Sequence, residues 1–314
     1  MKEQYSIGLS HLTYKLPRLS KNIEELEATS KIKSPAQLLR DFGFDRCYIS
    51  QSMEEFEQLL IGCGKAVLDK SNLSPSDIGL LLYYRAITPI AKWEGELTAF
   101  RYQLSKIQNA LNLNSAKAIT TAEQGCNGTL TTIELAYDYL SASNCKAVLC
   151  LSGSMLDPVS SREIMYNLMS DGACAFLLQK ESPHNQIRSF HQLAEPSYWD
   201  TPEREQELIA AYFPMAARAM KEALVQAELK MDDIRWVVPH NVSVRSWLIL
   251  SKLVGIPESK LWLKNVRNYG HTISCDHIIN LHDMESAGQL KKGDLLLLST
   301  FGFGASWSSM VLEY

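Results

Sequence analysis

Apolar runs of two different periods alternate along this 314-residue chain, and this alternation constrains its fold more than any other feature. Short continuous apolar runs, typical of buried strands, fall at 78–84, 116–122, 146–154 and 173–179. Longer segments with apolar residues on one face predict helices at 54–69, 96–111 and 128–142. Strands that alternate with helices are typical of layered folds. The sequence therefore predicts an α/β protein.

A polar stretch at 180–188, which contains Ser182, Pro183, His184 and Asn185, divides the chain into two parts. The second part repeats the plan of the first, with predicted helices at 205–227 and 243–254 and predicted strands at 236–239, 261–265, 294–300 and 306–313. We therefore predict two similar halves, residues 1–182 and 183–314, although sequence identity between them is not visible.

The charge balance and the distribution of apolar residues exclude several classes of protein. Lys and Arg total 31 against 35 Asp and Glu, so no overall positive field exists to hold nucleic acid or a membrane surface. The first residues lack the pattern of a secretory signal, and no apolar run reaches the roughly 18 residues that cross a bilayer as a helix. These features predict a cytoplasmic protein that acts on a small or protein-borne substrate.

The seven cysteines are scattered and include no CxxC pair, which predicts free thiols and not a disulfide framework or a zinc site. Asp276, His277, His282 and Asp283 lie close together in the sequence, but their spacing matches no standard set of metal ligands. We expect surface or packing roles for these four residues, and no metal site.

One cysteine stands out because it lies between glycines where a strand gives way to a helix, in the segment TAEQGCNGT at 121–129. A helix N-terminus offers partial positive charge and free N–H groups, which stabilise a thiolate. The same N–H groups can hold the oxyanion that forms when a thioester is attacked. Cys126 is therefore a candidate nucleophile, and a buried structural thiol is the alternative on spacing alone.

Three segments of the second half carry further candidates. The predicted strand at 236–239 ends in Pro239, and His240 and Asn241 follow it, at a strand end where sites of α/β proteins form. His271 lies after Gly270, and the glycine-containing run FGFGASW occupies 301–307. Glycines in such a run allow a ligand to approach the backbone, although a hairpin turn explains the run equally well.

The order of these segments resembles the β-ketoacyl-(acyl-carrier-protein) synthase III family of thiolase-like enzymes, over nearly the whole chain. The matching positions are Cys126, the Asp-Gly-Ala segment within 170–173, Pro239 and His240, the Gly-His-Thr segment at 270–272, the Phe-Gly turn at 301–304, and Trp307. The resemblance implies a five-layered α-β-α-β-α sandwich made of two similar halves, and a homodimer.

The resemblance also implies roles for individual residues. Cys126, His240 and His271 are the expected catalytic triad, and the backbone N–H groups of Cys126 and Phe303 are the expected oxyanion hole. Contacts to the substrate are expected from Arg40, Asn241, Arg245, Phe301, Gly302 and Gly304.

Two departures from the family pattern bear on the reaction. His271 stands where the family usually has Asn, and a pair of His residues resembles the elongating ketoacyl synthases, in which two imidazoles polarise a malonyl thioester. An imidazole also titrates near neutral pH and can act as a general base toward an alcohol or amine. Phe303 stands where the family has Gly, so that its side chain either crowds the acyl pocket or packs into the core.

The donor is expected to be an acyl carrier protein, with coenzyme A as the other possibility. Residues 40–44 resemble the family segment that helps to bind coenzyme A, but the neighbouring Trp is missing, with Gln37 or Leu38 near its place. Arg245 lies where the family presents a basic face to carrier proteins, and a solvated surface Arg is the alternative. Residues 84–93 correspond to the family loop that crosses the dimer interface and closes the acyl pocket.

We therefore expect an acyltransferase of the ketoacyl synthase III type from a specialised biosynthetic pathway. It would load an acyl group on Cys126 and condense it with a malonyl-type thioester after decarboxylation, without a cofactor. The first alternative is transfer of the acyl group to an alcohol or amine. A thioesterase or thiolase, and a non-catalytic partner of a carrier protein, are the others; a thiolase usually has a second catalytic Cys near the Gly-rich turn, and 301–307 contains none.

Overall fold

The structure is a computed structural model that describes residues 6–87 and 101–314. Its helices, labelled α1 to α9 in chain order, are Ile23–Ala28, Ala36–Asp41, Met53–Lys70, Gln103–Ala110, Gly128–Ala142, Glu205–Gln226, Val244–Val254, Lys264–Tyr269 and Asp276–Ser286. Its strands, β1 to β13, are Ile7–Lys15, Leu19–Asn22, Arg46–Ile49, Ile78–Arg85, Lys117–Thr121, Ala147–Ser154, Glu163–Ile164, Asn167–Leu168, Gly172–Lys180, Gln186–Ala194, Trp236–Pro239, Leu295–Gly302 and Ser306–Glu313.

A continuous sheet of nine strands forms the framework, in the order β11-β12-β13-β10-β1-β9-β6-β4-β5. The strands β1, β9, β6, β4 and β5 come from the first half of the chain, and β10 to β13 come from the second. The two sets meet where Gly8 of β1 pairs with Gln186 of β10. The connection 181–185 between β9 and β10 thus joins the two sets of strands.

Three apolar clusters order the helices and strands into layers. One cluster packs α5 and α9 between the two sets of strands, with Leu130, Ile279, Phe176 and Leu298 among its buried members. A second packs α3 and α4 on the outer face of the first set, and a third packs α6 and α7 on the outer face of the second. Helix, sheet, helix, sheet and helix therefore follow one another, which confirms the predicted five-layered sandwich.

Local signals in the sequence set the ends of the helices near the site. Ser243 precedes α7 and its hydroxyl accepts a hydrogen bond from the Ser246 amide at 3.4 Å. Gly255 ends α7 in the left-handed conformation, with φ of 74°, which glycine adopts without strain. Helix α7 therefore begins at Val244, four residues after His240.

Most predicted elements are present, and several bounds agree to within one or two residues, as in α5 and β11. The strand predicted at 261–265 is wrong: only Leu261 forms a bridge, to Val237, and Lys264 begins the helix α8. Its apolar residues pack beyond the short edge strand β11 and are not part of a ladder. The predicted helix at 96–111 is observed from Gln103, and 96–100 lie outside the described residues.

Two further predictions concern membrane-spanning helices and the predicted pocket loop. Of the helices in 6–87 and 101–314, none combines the length and the apolar content needed to cross a bilayer. The predicted pocket loop at 84–93 is wrong at its start, because Tyr84 and Arg85 belong to β4, and residues 88–93 lie outside the described part of the chain.

Candidate active site

Cys126 lies in the turn Gly125–Asn127 that leads directly into α5, and only 7% of it is exposed. Gly125 has φ of 52°, and a Cβ placed there would lie 2.9 Å from the nitrogen of Phe303. A side chain is excluded at Gly128 too, because a Cβ would lie 1.9 Å from the ring of Tyr84. The glycines on both sides of Cys126 thus allow close packing around the thiol.

His271 is the direct partner of the thiol, with its Nε2 atom 3.1 Å from the Cys126 Sγ atom. It follows α8 and Gly270, whose φ of 69° turns the chain at a place where a Cβ would lie 2.9 Å from the Leu168 oxygen. The His271 amide donates to the Leu168 carbonyl at 2.8 Å. The backbone on both sides of the His271 side chain is therefore fixed, and the residue is only 4% exposed.

Asp276, the first residue of α9, completes this arrangement on the far side of the imidazole. Its Oδ2 atom lies 2.6 Å from the Nδ1 atom of His271 and accepts the Asn241 amide at 2.6 Å. Its Oδ1 atom accepts the Thr272 amide at 2.7 Å and the Thr272 hydroxyl. Asp276 is fully buried. The carboxylate fixes the orientation of the His271 ring, as in a Cys-His-Asp triad.

The expected surface or packing role of Asp276 is therefore wrong. The sequence signal was an acidic residue at the start of a helix five positions after a His, which also fits ordinary helix capping. The other members of that group are elsewhere: His277 Nε2 lies 3.2 Å from the Ser299 carbonyl, and His282 lies beside Asp283. Within 6–87 and 101–314, no three His, Cys, Asp or Glu residues converge as metal ligands.

The electrostatics of the triad favour a charged His271. Burial lowers the pKa of His271, but the negative charges of Cys126 and Asp276 outweigh burial and raise it to about 10. For Asp276, burial raises the pKa, and the His271 charge with the hydrogen bonds from Thr272 and Asn241 brings it below its ordinary value. These shifts describe a protonated His271 beside an ionised Asp276.

His240 lies beside His271, but its imidazole is neutral whereas that of His271 is charged. The ring centroids are 5.7 Å apart, and His240 also packs edge-on against Trp247. Burial, followed by the charges of His271 and His277, lowers the pKa of His240 well below its usual range. Among the described residues, neither ring nitrogen of His240 has a hydrogen-bond partner. A buried, neutral imidazole with two unpaired nitrogens is available to a substrate.

The backbone of Phe303 lies close to the turn Gly125–Asn127, because a Cβ at Gly125 would lie 2.9 Å from the Phe303 nitrogen. Gly302 ends β12 where a Cβ would lie 2.4 Å from the Gln124 oxygen, so only glycine permits this approach. Within the described part of the chain, the Phe303 amide donates to no acceptor. This amide is free to bind a ligand oxygen, which is consistent with its expected role.

The Phe303 side chain is 38% exposed and packs edge-on against Phe301, with ring centroids 5.3 Å apart. The alternative that Phe303 packs into the core is therefore wrong. Phe301 itself is buried among Tyr212 and Trp307. Tyr212, which the sequence did not single out, is close enough to Cys126 for its charge, after burial, to raise the pKa of the phenol.

Asn241 and Gly304 are two further predicted substrate contacts. The Asn241 Oδ1 atom accepts from Asn280 at 2.9 Å, so that Asn241 supports Asp276 through its amide. Gly304 has φ of 134° and open space around it. Both residues stay predicted substrate contacts.

Arg40 and Arg245 lie on the outside of the fold. Arg40 contacts Glu24 and lies 3.8 Å from Asp45. Arg245 is exposed on α7, with its guanidinium 6.0 Å from the centre of the Phe42 ring. The segment 40–44 is thus held against α7, where the Val244 amide donates to the Phe42 carbonyl at 2.8 Å.

A Cys on a sharp turn before a helix, a base oriented by a buried carboxylate and a free amide opposite define a thiolase-like acyl-transfer site. The residues 121–196 match the family described as 3-oxoacyl-[acyl-carrier-protein] synthase III, and 224–314 match the C-terminal domain of that family. The chain belongs to the 3-oxoacyl-[acyl-carrier-protein] synthase III family.

Individual relatives agree with this assignment. The beta-ketoacyl-[acyl-carrier-protein] synthase III of Aquifex aeolicus is 26% identical over 269 residues, 80% of this chain and 81% of the relative. Two solved structures share the fold: the acyltransferase ChlB3 (18% identity, TM-score 0.85, 98% and 97% of the two chains) and the priming β-ketosynthase of the R1128 polyketide pathway (18%, 0.83, 100% and 97%). Because an acyltransferase and a ketosynthase fit almost equally well, the fold alone does not choose between their reactions.

Proposed function

We propose that this protein takes an acyl group from a thioester onto Cys126 and transfers it to a hydroxyl or amine acceptor. The observation that carries this proposal is the linear arrangement of Cys126, His271 and Asp276, with contacts of 3.1 and 2.6 Å. A carboxylate that holds Nδ1–H of an imidazole leaves the Nε2 atom to exchange a proton with the nucleophile and later with the acceptor.

In the first half-reaction the Cys126 sulfur bonds to the acyl carbon, and the amides of Cys126 and Phe303 bind the oxyanion. The bond from the acyl carbon to the donor sulfur then breaks. The Nε2 proton of His271 passes to the departing thiolate. This step leaves His271 neutral, with its remaining proton on Nδ1 toward Asp276 and a lone pair on Nε2.

In the second half-reaction that lone pair accepts the proton of the acceptor hydroxyl or amine as its oxygen or nitrogen attacks the acyl carbon. The bond from the acyl carbon to the Cys126 sulfur breaks, and the thiolate returns beside the imidazolium. His240 supports this step because its ring nitrogens have no hydrogen-bond partner among the described residues and its imidazole is neutral. It can therefore bind the acceptor without competing for the proton.

Decarboxylative condensation is the second candidate, and the side-by-side imidazoles of His240 and His271 favour it. A malonyl thioester that loses carbon dioxide needs hydrogen-bond donors on its developing enolate oxygen. After acylation, Nε2 of His271 has no proton to donate, and of the two imidazoles His240 alone remains a donor. The positions of the protons on the His240 and His271 rings therefore support transfer to an oxygen or nitrogen acceptor more strongly than condensation.

The donor in this proposal is an acyl carrier protein, the substrate that the relatives' name carries. Arg245 is exposed at the N-terminal end of α7, near His240, where an acidic carrier can reach it. Arg40 is engaged with Glu24 and is less available to the phosphates of coenzyme A. His271 stands where the family usually has Asn, and this difference supports a role in a specialised biosynthetic pathway. The cytoplasmic location and the absence of a cofactor stay predictions.

A homodimer through β5 is also part of the proposal. β5 is the last strand of the sheet, and Ile119 at its centre is 48% exposed. An exposed edge strand with an apolar residue can pair with a second copy. Replacing Ile119 with Lys is expected to shift the molar mass in light scattering from two chains to one, whereas an unchanged mass excludes this interface.

The experiment that tests the reaction is intact-protein mass spectrometry after incubation with acyl carrier protein and acyl-coenzyme A donors. Wild type and the control Cys145→Ala, which removes a partly buried thiol outside the site, are expected to gain one acyl group. Cys126→Ala is expected to gain none. The loaded enzyme is then given hydroxyl, amine or malonyl-thioester acceptors.

Discharge by a hydroxyl or amine supports the proposal. Discharge only by malonyl thioester, with release of carbon dioxide, would show condensation instead. Discharge by water alone would identify a thioesterase. If no donor loads Cys126, the covalent mechanism is wrong. The better hypothesis is then that this protein is a non-catalytic partner of a carrier protein.

A further inference from the structure

Tyr84 makes a contact to the nucleophile turn that the family resemblance does not explain. Its hydroxyl donates to the carbonyl oxygen of Gly125 at 2.6 Å. Tyr84 is at the carboxyl end of β4, between β5 and β6, and is fully buried. Its ring occupies the space that a side chain at Gly128 would fill. Tyr84, fixed in the sheet, thus donates a hydrogen bond to Gly125, the residue before Cys126.

The Gly125 carbonyl and the Cys126 N–H belong to the same peptide group. In a trans peptide the two bonds point in opposite directions, so that a group which fixes the carbonyl also fixes the N–H. A hydrogen bond to the carbonyl also polarises the peptide and makes its N–H a better donor. Tyr84 therefore acts on the amide that faces the reacting acyl group, although the phenol does not touch that group.

The peptide needs such support because Gly125 is conformationally free. Its φ of 52° is one of several states open to glycine, and rotation at Gly125 would change the direction of the Cys126 amide. Burial, together with the charge of Cys126, raises the pKa of Tyr84, so that the phenol keeps its proton. The donor is thus present in every state of the cycle.

We propose that Tyr84 is a positioning residue that directs the Cys126 amide into the oxyanion hole through its hydrogen bond to Gly125. This inference rests on the proposed acyl transfer through Cys126, because the amide acts only when an acyl group is bound there. Direct removal of an oxyanion-hole donor costs about 100- to 1000-fold in rate. Loosening a donor that stays in place is expected to cost less, about tenfold.

The test compares Tyr84→Phe with Tyr83→Phe, which removes the same hydroxyl from the neighbouring residue. Tyr83 faces the opposite side of the sheet, among the residues under α3 and α4. Each protein is loaded with a donor carrying a ¹³C-labelled carbonyl, and the acyl-enzyme carbonyl band is recorded by difference infrared spectroscopy. The loading rate and donor KM are measured by rapid-quench mass spectrometry.

For Tyr84→Phe we expect a carbonyl band at higher wavenumber, a loading rate about tenfold lower and an unchanged KM. Tyr83→Phe is expected to match wild type. A purely structural role would lower the melting temperature without moving the band. If Tyr84→Phe does not fold, 3-fluorotyrosine at position 84, a stronger donor of the same shape, is expected to move the band to lower wavenumber.

An unmoved band in a folded Tyr84 variant that loads at the wild-type rate overturns the inference, and so does an unmoved band in the fluorotyrosine protein. Failure of the proposed function is a separate result, because in that case wild type itself acquires no acyl group and no band exists to compare.

Discussion

Replacing Asp276 with Asn tests whether the carboxylate sets the proton position on His271. Asp276 accepts four hydrogen bonds, two on each oxygen: from His271 and the Asn241 amide on Oδ2, and from the Thr272 amide and hydroxyl on Oδ1. An amide has one acceptor oxygen, so its NH₂ group must face either the Asn241 or the Thr272 N–H. One buried amide then lacks an acceptor, which costs about 1–3 kcal/mol of folding free energy.

The effect on activity is expected to be larger than the effect on stability. If the NH₂ group faces His271, the imidazole takes its proton on Nε2 and can no longer accept one from the thiol or the acceptor. In the serine protease triad the corresponding change lowers kcat by roughly 10⁴. We expect loss of loading and of discharge by about 10³- to 10⁴-fold.

The assay follows the loading of Cys126 by time-resolved intact-protein mass spectrometry, with iodoacetamide alkylation at pH 7 as a substrate-free measure of thiolate reactivity. Asp283→Asn is the matched control, because it makes the same change on α9 at a partly buried carboxylate that contacts Tyr14. Loading by Asp276→Asn within about threefold of wild type, in a folded protein, would refute the triad and its proton path.

Three other perturbations have defined outcomes. Arg162→Leu leaves the fully buried Asp171 carboxylate without its 2.7 Å partner and is expected to cost about 3–5 kcal/mol in urea unfolding, whereas Lys146→Leu, which breaks an exposed pair, should cost under about 1 kcal/mol. His277 has its pKa lowered by burial to about 4, so the unfolded chain binds the proton first and stability falls as the pH drops from about 6.5 to 4. This contribution is about 2 kcal/mol at pH 5, and His277→Gln should remove that part of the pH dependence if the variant folds. Gly302→Ala places a Cβ 2.4 Å from a backbone oxygen and should abolish loading of Cys126. Gly255→Ala, at the left-handed end of α7 where a Cβ meets no described atom within 4 Å, should retain it; equal loading by the two would contradict the role given to Gly302.

The position of the candidate nucleophile could be predicted from the sequence because its signal is local. An apolar strand, a Cys between glycines and a helix follow one another without interruption, and the structure places Cys126 at that junction. The layered fold was predictable for the same reason, since β6, β9 and α5 each have a clear period of apolar residues.

The proton chemistry of the site was not predictable in the same way. The sequence presented His240 and His271 as an equivalent pair, and the structure separates them because only His271 touches Asp276 and Cys126. That contact depends on the turn at Gly270 and on the start of α9, which are tertiary features. The erroneous strand at 261–265 has a similar origin: its apolar residues suit a strand, but only Leu261 forms a bridge, to Val237.

The site also has a consequence for how the protein is made. Cys126 and its base are separated by 145 positions, and Asp276 lies farther still toward the C-terminus. During synthesis the thiol therefore leaves the ribosome long before the imidazole of His271 and the carboxylate of Asp276. The triad would form only when the last strands and α9 pack against α5. Acyl loading of Cys126 would therefore report that folding is complete.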